Sequence, residues 1–530
     1  GYHMASTKKM TADLIIIGGG VGGVAGALAA AKLGKRVIVT EETEWIGGQL
    51  TNQAVPPDEH PWIEQFGATA SYREFREGVR QYYRDHYPLT AAARTNRYLN
   101  PGNGWVSKLC HEPKVALAVL QQMLAPFVSN GLVTILLRHK IEEAVGEGDR
   151  VRSVTVRNLQ TDEVVELGGP YFLDATECGD VLPLAGVEYV TGAEARSETG
   201  EPNAADEADR RDMQSFTMCF ALDYIEGENH TIPRPRDYEF WRNYKPSFWP
   251  DKLLSWTHPF PETLEPWKRD LFYQPGRRII DSLWLFRRII DKANFEAGAY
   301  RSDIVIVNWP QIDYWLGPII DVSEAERNRH IEAAKQLSLS FLYWMQTEAP
   351  RPDGGRGYPG LRLRPDIVGS ADGLAQPYIR ESRRIKAEFT VLQQHVSPEC
   401  QPGVKAAHFF DSVGIGSYRI DLHPSTGNRN YIDVSSLPFQ IPLGSLIPKR
   451  VENLIAAAKN IGVTHITQGC YRLHPVEWNV GEAAGYLAAF CIDNKLKPKE
   501  VRNQRADLRR FQDLLVRQGI ELDWPDLQAR

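Results

Sequence analysis

Asp13-Leu-Ile-Ile-Ile17 runs directly into Gly18-Gly-Gly20-Val-Gly-Gly23, and the reading of this stretch decides the fold. The apolar run suits a buried parallel strand. The Gly-x-Gly-x-x-Gly spacing at Gly18, Gly20 and Gly23 lets the backbone turn sharply and approach a pyrophosphate, which then faces the N–H groups and dipole of the following helix. Gly22 lies within the same turn, and Ala27 keeps the helix close to the sheet. A second strand follows at Val37-Ile-Val39, and Glu41, 23 residues after Gly18, stands where a carboxylate binds ribose hydroxyls. Its neighbour Glu42 is the alternative assignment. The competing reading is an ordinary tight strand–helix turn with no ligand; the whole pattern of strand, glycines, helix, second strand and acid favours a nucleotide site.

Working outward, Leu14 to Ala31 contains no charge and follows Lys8 and Lys9, so it imitates a signal peptide or a short span. Six glycines inside it, and the strand-like Lys35-Arg-Val-Ile-Val-Thr40 directly after it, point to a folded domain instead. Gly1-Tyr-His-Met4 reads as an expression scar.

The 530 residues are 42% hydrophobic and 24% charged, a globular composition able to bury a large core. A net charge of −6 gives no reason to expect a nucleic-acid or anionic-membrane partner. Six cysteines without a C-x-x-C pair signal neither zinc, an iron–sulfur cluster nor a disulfide framework. No metal is expected, and a reducing, cytoplasmic compartment is.

Further along, Val133-Thr-Ile-Leu-Leu137 and Val151-Arg-Ser-Val-Thr-Val156 predict strands, separated by Gly146-Glu-Gly-Asp-Arg150, a turn signal between strands. Ser323-Glu-Ala-Glu326 predicts a capping box opening a helix to about Glu348. A strand at Asn453 to Ala458, a helix near Trp478 to Cys491 and an outer helical stretch from Lys495 complete the reading. The aromatic cluster from 238 to 273 is assigned mainly to core packing.

Several segments together resemble one family, the FAD-dependent oxidoreductases of the broad glutathione-reductase type. They are Asp13 to Gly23, Glu41 to Thr51, Asp174-Ala-Thr-Glu-Cys-Gly-Asp180, Pro377-Tyr-Ile-Arg-Glu-Ser-Arg-Arg384, Ile441 to Pro448 and His474 to Gly485. The resemblance implies an α/β fold: a Rossmann-type FAD-binding domain assembled from both chain ends, with an inserted α+β substrate domain. The expected divisions are 11–215 (including a β-rich subdomain at about 130–170) and 401–495 for the FAD-binding domain, 216–400 for the insert, and 496–530 for a helical extension.

It also implies cofactor contacts from Gly47, Gly48 and Gln49 along the pyrophosphate and ribitol, and from Ala175, Thr176 and Asp180 near the nucleotide half. Glu177-Cys178 stand where many relatives carry glycine. Asn460 replaces the acid of a Gly-Asp pair. Pro475, Gly481 and Glu482 belong to a helix whose N-terminus faces the flavin and stabilises negative charge there.

Oxidation of an alcohol or amine needs a base for the heteroatom proton. His474, His465 and Arg472, in the connector entering that helix, are the first candidates; a purely structural loop is the alternative. Tyr378 and Arg380 follow. Helical spacing would put Arg380 with Arg383 or Arg384 on one face, to hold an anion or to form interdomain ion pairs. His408, Asp411, Asp421 and His423 rank third.

The expected activity is oxidation of a small alcohol, amine or sugar-like substrate by hydride transfer to flavin N5. No second Gly-x-Gly-x-x-Gly follows a strand, so electrons would leave to O2, a quinone or a carrier. The alternatives are a monooxygenase using NAD(P)H and O2, and a non-catalytic or redox-sensing flavoprotein. A homo-oligomer stays open.

Overall fold

In the computed structural model, residues 7–527 are described; the reading of Gly1–Met4 lies outside them. The chain starts with β1 (Lys8–Thr11) and β2 (Leu14–Ile17), the latter wholly buried as its uninterrupted apolar run requires. The uncharged run that imitated a span is β2 followed by α1 (Val21–Lys32), which is buried through Ala31, and β3 (Val37–Glu41) comes next. Helices α2 (Ala70–His86) and α3 (Pro113–Ser129) precede β4 (Val133–Leu137), β5 (His139–Glu147), β6 (Arg150–Asn158), β7 (Val164–Gly168) and β8 (Tyr171–Asp174).

The expected turn near Gly146–Arg150 lies between strands, joining β5 to β6. Its first strand, β5, is polar and half exposed, so it shows no apolar run. Strand β4 pairs parallel with β3.

The middle of the chain supplies an antiparallel sheet of β9 (Phe220–Tyr224), β10 (Arg288–Ile290), β11 (Ile304–Val307) and β12 (Leu361–Leu363), in the order β10-β11-β9-β12. Between β11 and β12 runs α4 (Glu324–Thr347). Ser323 Oγ accepts the Glu326 N–H at 3.1 Å, the expected cap, while the Glu326 carboxylate pairs with Arg211. Tyr238, Trp241, Trp249 and Trp256 are buried in the core of this lobe, which is separate from the core around β2 and α1.

The chain then returns through β13 (Leu454–Ala456), α5 (His465–Tyr471) and α6 (His474–Asn494), and ends with α7 (Pro498–Asn503) and α8 (Arg505–Arg517). The parallel sheet has the order β13-β8-β2-β3-β4, so a strand from residue 454 completes a sheet begun at residue 14. Helix α6 lies on α1, and glycines set their spacing. A Cβ on Gly481 would sit 2.1 Å from the Gly22 carbonyl oxygen, and one on Gly485 2.3 Å from that of Gly26. Four-residue spacing puts both glycines of each helix on one face, allowing backbone to meet backbone. Among the described residues no helix is long and apolar enough to cross a membrane.

Candidate active site

The turn after β2 is held open by backbone geometry. Gly18 has φ +97°, and a Cβ there would lie 2.4 Å from the Ala175 carbonyl oxygen. The second glycine loop is tied to it, because the Gly47 N–H donates to Gly19 O at 2.8 Å. Glu41 accepts from the Gly19 N–H at 3.1 Å and from Thr43 N and Oγ1 at 2.8 and 2.7 Å. Burial pushes its carboxyl up to about 7 despite the Thr43 bonds. Glu42 is not held in this way; its carboxylate lies 3.9 Å from Lys140 at the surface.

These residues wall a cleft of about 1130 Å³, part of it open solvent. Of the expected cofactor residues, Gly18, Gly20, Glu41, Ala175, Thr176 and Asp180 form its wall. Asn52, Gln53 and Ile141 line it too, and Arg327, Ile331 and Lys335 close it from α4 at four-residue spacing. Sequence reasoning missed these; the spacing of Arg327, Ile331 and Lys335 was the available signal. The Glu177 carboxylate lies against the turn, since a Cβ on Gly20 or Gly48 would come within 2.7 Å of its Oε1, and Lys459 neutralises it. A cleft edged by Gly18 and Gly20 at the N-terminal end of α1, with the buried Glu41 carboxyl in its wall, has the donor set that FAD requires.

Several expected cofactor residues sit behind this wall. Gly22 and Gly23 pack against backbone: a Cβ on Gly22 would lie 1.8 Å from Ala457 O, and one on Gly23 1.9 Å from Gly18 O. Gly481 belongs to the α1–α6 contact rather than to the cleft. Glu482 accepts from Ser71 Oγ, which also receives Trp478 Nε1 at 2.8 Å, so its carboxylate turns towards α2. Asn460 spends its amide on backbone, donating to Asp174 O at 2.9 Å and accepting from Ala458 N at 3.2 Å. Gln49 is buried beside Gly48 and donates to Arg472 O at 3.1 Å, and Pro475 occupies the first turn of α6.

Arg472 opens a second, buried cluster. Its Nη1 donates to the Tyr378 hydroxyl at 3.1 Å and its Nη2 lies 3.3 Å from Asp421 Oδ2. His423 comes next, with Nε2 3.6 Å from Asp421 and Nδ1 2.7 Å from Asp313 Oδ2. Asp313 also accepts Thr217 Oγ1 at 2.7 Å and faces Arg380 Nη2 at 3.4 Å. The Arg380 guanidinium stacks 4.8 Å above the Tyr378 ring and closes the circuit. Burial opposes ionisation of Asp421, but His423 and Arg472 outweigh it and hold the carboxyl below its usual range. Arg380 and His423 do the same for Asp313.

Residues 377–380 are extended, not helical, with Tyr378 bridged to Thr217. Period-two alternation therefore sends Tyr378 and Arg380 to the ring while Pro377 and Ile379 line the cleft. The expected pairing of Arg380 with Arg383 or Arg384 does not occur. Arg383 bridges Asp180 and Asp321 at 3.0 and 2.8 Å, and Arg384 pairs with Glu194 at 2.7 Å.

His474 has no free nitrogen. Its Nδ1 accepts the Asp58 N–H at 3.2 Å, its Nε2 faces Val55 O at 3.0 Å, and burial holds the ring neutral. A base needs an available lone pair, and His474, with both ring nitrogens engaged, offers none. His465 lies 2.7 Å from Glu381; burial lowers its pKa, and Glu381 more than reverses that. His408 is exposed, and Asp411 is bound by Arg502 at 2.7 Å and Gly444 N at 2.8 Å. Cys178 is buried with its thiol pushed up to about 12, as a packing residue rather than a nucleophile.

Among curated proteins none matches this chain. Solved structures share low likeness. The geranylgeranyl bacteriochlorophyll reductase-like protein of Thermoplasma acidophilum is 10% identical with TM-score 0.30, covering 97% of this chain and 85% of its own. L-proline dehydrogenase of P. horikoshii is 15% identical with TM-score 0.18, covering 36% of this chain and 25% of its own. The flavin-dependent monooxygenase PieE is 12% identical with TM-score 0.24, covering 41% and 35%. The chain thus spans well under two thirds of the last two, and scores this low say nothing about substrate. The family profile described as FAD dependent oxidoreductase, by contrast, matches residues 13–515 and so takes in both ends of the parallel sheet, the cleft and the ring. This chain belongs to the FAD dependent oxidoreductase family.

Proposed function

We propose that the protein is a two-electron oxidase or dehydrogenase that removes hydrogen from a C–H bond next to a hydroxyl or amine of a small organic molecule. The observation that carries this reading is the ring of Arg472, Asp421, His423, Asp313, Arg380 and Tyr378, which backs onto the cleft wall where Pro377 and Ile379 alternate with Tyr378 and Arg380.

Gly18, Gly20, Glu41, Ala175, Thr176 and Asp180 would hold FAD along the cleft, and Gln49 and the first turn of α6 would face its flavin end. When bound, FAD supplies the acceptor for the hydride at N5. The chain's own part is proton handling and orientation. In the neutral ring Asp313 accepts from His423 Nδ1, and Nε2, 3.6 Å from Asp421 and so outside hydrogen-bonding distance, takes the heteroatom proton; the imidazolium so formed is the state that both acids stabilise. The hydride and that proton together are the two hydrogens lost when the C–O or C–N bond becomes double. Arg472 and Tyr378 orient the substrate beside it.

Anaerobic mixing of the FAD-loaded protein with alcohols, amines, sugars and acids tests this. Bleaching of the flavin by one of them without a nicotinamide supports it. Bleaching by NAD(P)H alone favours the monooxygenase, and no bleaching by any reductant favours a non-catalytic flavoprotein.

A further inference from the structure

We infer that the molecule oxidised carries a carboxylate, and that Arg287 is the residue that receives it; the inference rests on the oxidoreductase reading above. Within the ring the charges are matched, Arg472 against Asp421 and Arg380 against Asp313, with His423 between the two acids. Arg287 stands outside this balance. It is nine-tenths buried, and its nearest acid, Asp58 Oδ1, is 3.9 Å away, beyond hydrogen-bonding distance.

Two of its donors, Nε and Nη1, have no partner. Buried guanidinium groups left in this state are costly, so the arrangement calls for an anion that the chain does not supply. The backbone N–H of Asp58 is held by His474, which fixes the loop carrying this carboxyl at the entry to α6. Asp58, with Tyr378 and Tyr418, holds the Arg287 guanidinium charged against its burial, yet at 3.9 Å the Asp58 carboxyl gives it no hydrogen bond.

The ring and its aromatic neighbours hold further unpaired donors. Arg380 Nε and Arg472 Nε are buried donors without partners, and so are the Tyr431 hydroxyl and Trp249 Nε1. Tyr431 packs on His423 with ring centroids 5.6 Å apart, and Trp249 stacks on Tyr431. Buried donors without partners, gathered on a guanidinium whose acid stands outside hydrogen-bonding distance, match a monoanion with two acceptor oxygens. The planar fork of a guanidinium fits a carboxylate, with Tyr431 and Trp249 as an aromatic wall for the rest of the molecule.

Calorimetric titration of the FAD-loaded protein with acetate, propionate and benzoate, with their amides, and with inorganic phosphate tests this. At least one carboxylate should bind more than tenfold tighter than its amide and tighter than phosphate. Arg287→Met should weaken that carboxylate roughly 10- to 100-fold, the range for a charge-assisted hydrogen bond. Arg287→Lys should recover part of the loss; it also serves if Arg287→Met does not retain flavin. Amides binding as well as acids, tighter phosphate binding, or unchanged affinity in both variants would overturn the inference. Carboxylate binding without anaerobic flavin bleaching by any carboxylate would sustain the anion site and remove the oxidation reading. Bleaching by neutral alcohols or amines with no carboxylate binding would do the reverse.

Discussion

The Tyr378 hydroxyl accepts a hydrogen bond from Arg472 Nη1 at 3.1 Å, and this contact joins the segment beside the cleft to the connector that enters α6. Both side chains are almost wholly buried. Tyr378→Phe would leave a charged donor unpaired without changing the cleft. The expected result is unchanged FAD content with anaerobic flavin reduction slowed roughly 10- to 100-fold. Rapid-mixing measurement of the reduction rate, beside the flavin-to-protein ratio, checks it.

Gly18 and Gly20 should separate folding from cofactor binding. A side chain at Gly18 meets backbone at a positive φ, so Gly18→Ala should lower the yield of folded protein. At Gly20 the nearest atom is the end of the flexible Glu177 side chain, so Gly20→Ala should fold. Its methyl group would project into the cleft, and the FAD dissociation constant should rise at least tenfold, read by flavin fluorescence on dilution.

Gly481 packs its Cα face on Gly22 across the α1–α6 contact, with no room for a methyl group. Gly481→Ala forces the helices apart and should destabilise the fold by about 3 kcal/mol, in the range for overpacking. Thermal unfolding of the FAD-free protein reports this directly, because the effect requires no cofactor.

Glu482 is buried beside Ser71, and burial raises its carboxyl to about 7 from an ordinary 4.5. A raised acid pKa means that its contribution to stability is fully present below about 4.5 and is lost as pH rises through about 7. Glu482→Gln removes that loss. The variant should therefore gain on the wild type between pH 5 and pH 8, by up to roughly 3 kcal/mol for complete titration. FAD affinity should stay level, since the carboxylate faces α2. Denaturant unfolding at the two pH values tests the sign.

The strand, glycine turn and helix at residues 14–32 were legible because each element carries a local signal: an unbroken apolar run, glycines at fixed offsets, and helical spacing behind them. Ser323 was legible for the same reason. Strand β5 was not, since His139–Glu147 is an edge of polar residues whose place comes from pairing with β6. The segment carrying Tyr378 and Arg380 is extended although its three arginines stand at helical spacing; Pro377 is the local signal for the strand period. Gly481 and Glu482 share a helix with the expected flavin-facing end, but they lie two turns in, where the helix meets α1 and α2. The ring itself has no local signature. Asp313, Arg380, Asp421 and Arg472 come from four separate segments, and only the meeting of the inserted lobe with the returning chain brings their charges together.

In the proposed reaction His423, held by Asp313, takes the proton of a substrate oxidised at the flavin, and anaerobic reduction of the FAD-loaded protein by a small organic acid tests this most directly. The wild type should bleach without NAD(P)H, and bleaching should slow by a factor on the order of 100 or more in His423→Gln at full flavin content. Bleaching that requires NAD(P)H, or an equal rate in His423→Gln, would contradict it.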